Sequence, residues 1–193
     1  GVPHDPQWAN ELFDKMINTK LDVTWVGNAR ADKISYELAR KMKEAGCHTV
    51  CIGCESGDPE ILKNVAKNET PERIAQAVQD AKKAGLDVLG YFILGLPGET
   101  RESMERTIRF AKKLDPKIIT LNIAVPLPGT KFYRYIEENN YFVTKDWSRF
   151  DPVGKPVFSY PNLSGDEIYR TMKIGYRSFY LRPSYLVKRV LEL

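Results

Sequence analysis

Three cysteines are the residues of this chain with the clearest potential for metal chemistry. Cys47, Cys51 and Cys54 follow the spacing C-x3-C-x2-C, and three thiolates can together hold an iron–sulfur cluster. The surrounding sequence, TVCIGC, has the β-branched and apolar character of a strand. In a strand, Cys47 and Cys51 lie roughly 13 Å apart, and Cys51 and Cys54 point to opposite faces. We therefore expect small buried side chains and no metal site here, with cluster ligation in a remodelled loop as the alternative.

The segment 87–99 carries a second chemical signal, a turn that follows an apolar strand. Residues 88–94 are mostly apolar, β-branched or aromatic, which favours a parallel strand buried on both faces. Gly95 and Gly98 allow the backbone to approach a ligand closely, and Pro97 stiffens the turn. Because α/β proteins usually bind ligands at the carboxyl ends of parallel strands, this turn is a candidate ligand site. An ordinary strand-to-helix turn is the alternative.

The same order of strand and helix repeats along the chain. Strands are predicted over residues 22–28, 48–53, 88–94 and 117–125. The helices between them are indicated by apolar residues four positions apart and by N-capping side chains. Strands that alternate with helices predict right-handed, parallel βαβ units, so the fold class is α/β. The helices are predicted to begin near Ser35, Asp58, Thr70, Thr100 and Ser164.

Composition excludes several classes of function. The 193 residues can form one domain with a C-terminal appendage. Lys and Arg (29) are interspersed with Asp and Glu (25), which argues against a basic nucleic-acid-binding stripe. No apolar run is long enough for a membrane span, and the sequence predicts no signal peptide. The odd count of three cysteines indicates a reducing cytoplasm. The chain begins Gly-Val-Pro-His, without Met, which suggests a piece of a longer protein.

Four segments carry a family pattern: GCHTVCIGCESG at 46–57 with Lys67 further on, YFILGLPGE at 91–99, PLPGT at 126–130 and FYLRP at 179–183. Together they resemble the radical S-adenosylmethionine (SAM) superfamily. The first three are similar to the fourth, fifth and sixth strands of that family's barrel. The last is similar to the tail of its cobalamin-binding branch, typified by the anaerobic magnesium-protoporphyrin ester cyclases. Tyr91 departs from the pattern, since the family usually has Gly there. The resemblance covers about residues 8–190.

The resemblance implies a partial TIM-like barrel. The chain would carry strands three to six of a (β/α)6 core in residues 1–135 and a mostly helical C-terminal extension in residues 136–193. The family's cluster loop follows the first strand and would therefore lie upstream of this chain. Because an open half barrel exposes strand edges, the resemblance also predicts self-association.

The resemblance further implies a set of cofactors and the residues that bind them. These cofactors are SAM, a [4Fe–4S] cluster with ligands outside this chain and, for the cobalamin-binding branch, cobalamin in the full-length protein. The parent would take electrons from a donor such as flavodoxin or ferredoxin and act on a small-molecule substrate. The implied cofactor-binding residues are Arg30, Glu55, Ser56, Lys67, Tyr91, Ile93, Gly95, Asn122 and Val125.

Two functions of different classes follow. The favoured one is the C-terminal part of a radical SAM oxidoreductase or methyltransferase, inactive by itself. Its parent would reduce SAM through the cluster and use the 5′-deoxyadenosyl radical to abstract hydrogen. The alternative is a non-catalytic nucleotide-binding or scaffold module. Because loops that vary within one fold build substrate pockets, the substrate is not predicted.

Overall fold

Helices and strands alternate along most of the chain. A computed structural model describes residues 6–191. Short 3-10 turns at Ala31–Lys33 and Trp147–Arg149 join longer elements. In chain order these are α1 (Pro6–Asn18), β1 (Trp25–Arg30), α2 (Tyr36–Glu44), β2 (Cys47–Glu55), α3 (Pro59–Asn64), α4 (Pro71–Lys83), β3 (Asp87–Leu94), α5 (Arg101–Leu114), β4 (Ile118–Ile123), α6 (Lys131–Glu138), α7 (Gly165–Tyr180) and α8 (Pro183–Val190).

The four strands form one parallel sheet in the order β1-β2-β3-β4, which confirms the predicted α/β class. Strand β1 pairs with β2 so that Asn28 lies opposite Cys51 and Arg30 opposite Gly53. The register shifts between Trp25 and Val26, because Trp25 pairs with Cys47 and Val26 with Thr49, so that residue 48 is skipped in the pairing with β1. Strand β1 was predicted over 22–28, but it spans Trp25–Arg30 because its pairing with β2 begins at Trp25.

The predicted helix starts are confirmed by their capping hydrogen bonds. The Asp58 carboxylate accepts from the backbone N–H of Glu60 at 2.9 Å, and Pro59 occupies the first turn of α3. Such caps satisfy amide groups that have no partner inside the helix. The other predicted caps accept backbone N–H groups in the same way, and they are Ser35, Thr70, Thr100 and Ser164.

Strand β3 differs from the expectation that both of its faces are buried. Its even-numbered residues, such as Phe92, are buried, whereas the odd-numbered ones, such as Tyr91 and Ile93, are half-buried. The apolar composition of the strand predicted burial on both faces. The alternation shows that one face packs fully and the other is left partly open.

The chain divides into two compact units. The first contains residues up to 54 together with 68–91 and 113–120. Its helix α2 packs against α1 and α4, and Met42 and Ile74 are fully buried in its core.

The second unit contains residues 55–67, 92–112 and those from 121 onward. Its core is aromatic, since Phe92, Phe158 and Phe179 are fully buried. Helix α7 lies very close to β4, and a Cβ built on Gly175 would lie 2.6 Å from Leu121 Cδ1. Over residues 6–191, no helix has the length and apolar character needed to cross a bilayer.

Candidate functional site

The carboxyl end of strand β2 brings together two of the predicted site residues. Lys67 Nζ lies 3.1 Å from Glu55 Oε1, and these side chains are 12% and 25% exposed. The backbone of Glu55 is left-handed, with φ of 55°, which is uncommon for a residue with a side chain. Ala66, next to Lys67, has the same φ. Two sharp backbone turns therefore place opposite charges, twelve residues apart in sequence, at one strand end.

Ser56 lies inside the loop that follows Glu55. It is fully buried, and its Oγ accepts from the Asp58 N–H at 3.1 Å and lies 3.0 Å from Thr107 Oγ1. Thr107 donates its hydroxyl hydrogen to the Ser103 carbonyl at 3.1 Å, so Ser56 is the donor in the Ser56–Thr107 bond. The Gly57 N–H also donates to Thr107 Oγ1, at 3.0 Å. The hydroxyl of Ser56 is thus committed to holding the loop.

The start of α3 adds a charged contact to this loop. Asp58 caps α3 with one carboxylate oxygen, and its Oδ2 lies 2.9 Å from Arg106 Nη1. Arg106 and Thr107 both come from α5. Helix α5 therefore fixes the loop that presents Glu55, a role that sequence reasoning missed because these residues lie about fifty positions away from the loop.

The turn after β3 is closed by its own residues. The Glu99 carboxylate accepts the N–H groups of Gly95 and Leu96, and the Tyr160 hydroxyl donates to the Gly95 carbonyl at 2.9 Å. Gly95 has φ of 81°, so the predicted need for glycine at this turn has a conformational basis. A Cβ at Gly95 would also lie 3.2 Å from Phe158 Cζ. The backbone polar groups of Gly95 are thus bonded within the protein.

Glu99 is a buried acid that sequence reasoning missed. The residue is 6% exposed, and burial raises the pKa of its carboxyl to about 8, against the opposing effect of the two backbone N–H groups. Its Oε1 has no hydrogen-bond partner within residues 6–191. In sequence, Glu99 resembles an ordinary acid just before a helix, so only the packing identifies it.

Arg30 lies at the carboxyl end of β1, in the first unit. Its guanidinium contacts Asp32 at 2.9 Å and the fully buried carboxylate of Glu69 at 3.6 Å. The bond from Arg30 lowers the pKa of the Asp32 carboxyl. The Arg30 side chain is 46% exposed. Part of its donor capacity therefore faces solvent, while the rest is shared by two carboxylates.

Tyr91 contacts a cysteine on the neighbouring strand. The side chains of Tyr91 and Cys51 influence each other's pKa, and burial is the main cause that raises the pKa of both groups. Since Tyr91 shares the open face of β3 with Ile93, Cys51 projects from the same face of β2. This contact was not predicted.

The remaining predicted residues lie on or just after the last two strands. Ile93 is half-buried on β3, Asn122 is half-buried on β4, and Val125 is half-buried just beyond β4. The backbone near them is tied together, because the Ala124 N–H donates to the Leu94 carbonyl at 2.8 Å.

The three cysteines have the geometry predicted from a strand. All three lie in β2 and are buried. Because Cys51 and Cys54 are three apart in this strand, they leave opposite faces. Cys47 Sγ donates to the Thr49 carbonyl at 3.3 Å. In the part of the chain that the structure describes, no three His, Cys, Asp or Glu side chains form a group that could hold a metal.

Anaerobic reconstitution of the chain with iron and sulfide should therefore give no stable cluster. The expected result is a visible spectrum without iron–sulfur absorbance and with less than one iron bound per chain. Absorbance with about four irons per chain, lost on Cys51→Ala, would show that β2 can open into a cluster loop.

Comparisons with known proteins give the chain a family. Residues 5–111 match the model of the radical SAM superfamily. An uncharacterized methyltransferase of Pyrococcus horikoshii is 42% identical over 89% of the chain and 37% of its own length. The bacteriochlorophyllide d C-8(2)-methyltransferase of Chlorobaculum tepidum is 26% identical over 80% of the chain and 37% of its length. The chain thus spans little more than a third of these relatives.

Solved structures show the same fold at low sequence identity. Coproporphyrinogen III oxidase from Escherichia coli, a radical SAM enzyme, is similar over 92% of the chain and 37% of its own, with a TM-score of 0.64 and 14% identity. A radical SAM methyltransferase from Kitasatospora setae, with cobalamin and a [4Fe–4S] cluster bound, is similar over 84% of the chain and 34% of its own. Its TM-score is 0.62, with 20% identity.

Proposed function

The chain belongs to the radical SAM superfamily, and we propose that it forms the SAM-binding, C-terminal part of the core of a larger methyltransferase or oxidoreductase. Enzymes of both kinds are among its relatives. In the proposed parent, a [4Fe–4S] cluster held outside this chain would supply the one-electron reduction that cleaves SAM into methionine and a 5′-deoxyadenosyl radical. The substrate would be a small molecule, and the parent's electron donor a protein such as flavodoxin or ferredoxin.

The pair of Glu55 and Lys67 carries this proposal. SAM presents a carboxylate, an ammonium group and two ribose hydroxyls. A carboxylate accepts hydrogen bonds from ammonium and hydroxyl groups, whereas a lysine ammonium donates to carboxylates and hydroxyls. The partial burial of both side chains strengthens such contacts, because water screens them less. Glu55 and Lys67 would therefore orient the polar half of SAM at the end of β2.

The other residues of the proposed site act through shape and hydrogen bonding. Ile93 offers an apolar surface to the adenine ring, and Val125 lies at a backbone position that can bond adenine. The side chain of Asn122, which lies in β4, forms no hydrogen bond to another residue within 6–191, so its side-chain amide is available to a ligand. Arg30 and Tyr91 remain proposed contacts, and Ser56 and Gly95 would act by holding the two loops in place.

The family's iron–sulfur cluster does not fit residues 6–191. The three cysteines diverge across β2, and the described residues contain no other set of ligands. Cobalamin occurs in solved relatives, and we propose it for the parent only as a cofactor held elsewhere. The contribution of this chain is then to bind SAM, orient it and exclude water around it.

The test is SAM affinity in the full-length protein, measured anaerobically by titration calorimetry. Glu55→Gln and Lys67→Met should each weaken SAM binding by about tenfold or more, because each removes a charge-assisted contact of about 1.5–3 kcal/mol. His48→Ala is the matched control. This substitution changes an exposed residue near the opposite end of the same strand. The SAM affinity of the variant should therefore equal that of the wild type. Wild-type affinity in both charge variants, with circular dichroism showing that they are folded, would refute the proposed site.

A further inference from the structure

A cavity of about 420 Å³ lies beside the turn that follows β3. Three segments of the second unit surround it: the turn at Leu96 and Pro97, the carboxyl end of α3 at Val65, and the first turns of α6. Cavities that bind small molecules in proteins commonly measure about 300–1,000 Å³. This one is therefore large enough for a two-ring ligand.

The walls of the cavity are held in place before any ligand binds. Asn64 Nδ2 donates to the Pro97 carbonyl at 3.3 Å, which ties α3 to the turn. The Glu99 carboxylate accepts a hydrogen bond from the Leu96 N–H, which holds the turn in place. The chain leaves α3 through the left-handed residue Ala66, whose N–H donates to the Lys63 carbonyl at 3.0 Å. A ligand would thus enter a preformed space, and little conformational entropy would be lost in ordering its walls.

Helix α6 lines the cavity with two aromatic rings and one positive charge. Phe132 and Tyr135 are three residues apart and Lys131 and Tyr135 four apart, so all three lie on one side of the helix. Phe132 packs edge-on against the buried ring of Phe158 at a centroid distance of 5.4 Å. Tyr135 packs similarly on Tyr141 at 5.9 Å. These contacts fix the two rings that face the cavity.

The charge of the cavity favours an anion. Lys131 forms no ion pair within residues 6–191, and no acidic side chain lines this space. A smaller cavity of about 250 Å³ at the start of α7 also contains a lysine, but its charge is neutralised. There Lys155 is paired with Asp166 at 2.7 Å, so that ammonium is already used by the protein.

We propose that the cavity binds the substrate through a flat aromatic body bearing a carboxylate. The rings would pack between the α6 aromatics and the apolar side chains of Val65, Leu96 and Pro97, and the carboxylate would pair with Lys131. The identification of this ligand as the substrate rests on the proposed function, because the cavity shares the segment 55–67 and the turn after β3 with the proposed SAM site. The binding chemistry itself follows from the cavity alone.

The probe is 2-naphthoate, compared with its neutral analogue 2-naphthamide in titrations of the full-length protein without SAM. We expect naphthoate to bind at least fivefold more tightly than the amide at low salt, with the difference shrinking as ionic strength rises. Lys131→Met should remove this preference and leave amide binding unchanged. Tyr135→Ala should weaken both probes. Lys173→Met, which changes an exposed lysine of α7 that lines neither cavity, should change neither.

The outcomes separate this inference from the proposed function. A protein that binds SAM but not 2-naphthoate, or that binds both probes equally, overturns the cavity assignment and leaves the SAM site standing. A protein that binds 2-naphthoate through Lys131 while Glu55→Gln and Lys67→Met leave SAM affinity unchanged supports the cavity and refutes the SAM site.

Discussion

Replacement of Glu99 by Gln should make the stability of the folded protein less sensitive to a rise in pH from about 5 to 8. The folded-state pKa of Glu99, about 8, lies above the value of 4.5 for an exposed carboxyl, so between these values the folded state binds the additional proton. Stability from this group is therefore fully present below pH 4.5 and is lost as pH rises through about 8. The full loss is of the order of 5 kcal/mol at about 1.36 kcal/mol per unit.

The measurement is the free energy of unfolding in urea at intervals from pH 5 to pH 9. Glu99→Gln should lie close to the wild type at pH 5 and exceed it increasingly above pH 6, since a buried amide carries no charge at any pH. Glu102→Gln is the control. Glu102 is exposed at the start of α5, and hydrogen bonds there lower the pKa of its carboxyl, so its removal should not stabilise the protein at high pH. Parallel pH profiles for the wild type and Glu99→Gln would contradict the buried, protonated acid.

Gly95→Val should destabilise the second unit by about 2–6 kcal/mol through two separable causes. The first is backbone strain, because a β-branched residue at φ of 81° is strongly disfavoured. The second is overpacking, since its Cβ would lie 3.2 Å from Phe158 and 3.3 Å from Ile168, and such insertions typically cost about 1–3 kcal/mol. Both neighbours are fully buried and have little room to move.

Gly129→Val isolates the first cause. Gly129 has nearly the same φ, 82°, but a Cβ there would meet no atom within 4 Å. Its cost should therefore be strain alone, about 1–3 kcal/mol. Urea unfolding at pH 7, followed by circular dichroism, compares the two variants. Equal losses would mean that the packing of Phe158 and Ile168 against Gly95 contributes nothing.

The fold was largely predictable from sequence because its signals are local. Strand composition and the capping residues, such as Asp58 and Ser164, each act within a few positions of the chain. The prediction that both faces of β3 are buried was wrong, since Tyr91 and Ile93 are only half-buried. Apolar composition predicts what a strand can bury, whereas packing decides how much of it is covered.

The candidate site was predictable only as separate residues. Glu55 and Lys67 were both named from the family resemblance, but their contact depends on two left-handed residues, Glu55 and Ala66, for which the sequence carries no clear signal. Thr107 and Tyr160 were missed because each bonds a turn 50 to 65 positions away. Such long-range hydrogen bonds leave no periodic pattern in a single sequence.

The Thr107 hydroxyl also limits how this protein can be re-engineered. It accepts from both Gly57 and Ser56, so a chimera that receives a foreign loop at 55–67 must also receive the matching residue of α5. A graft without it would leave buried donors unsatisfied, at a cost of about 1–3 kcal/mol each. The loop and the helix must therefore be transplanted together, although they are about fifty residues apart in the sequence.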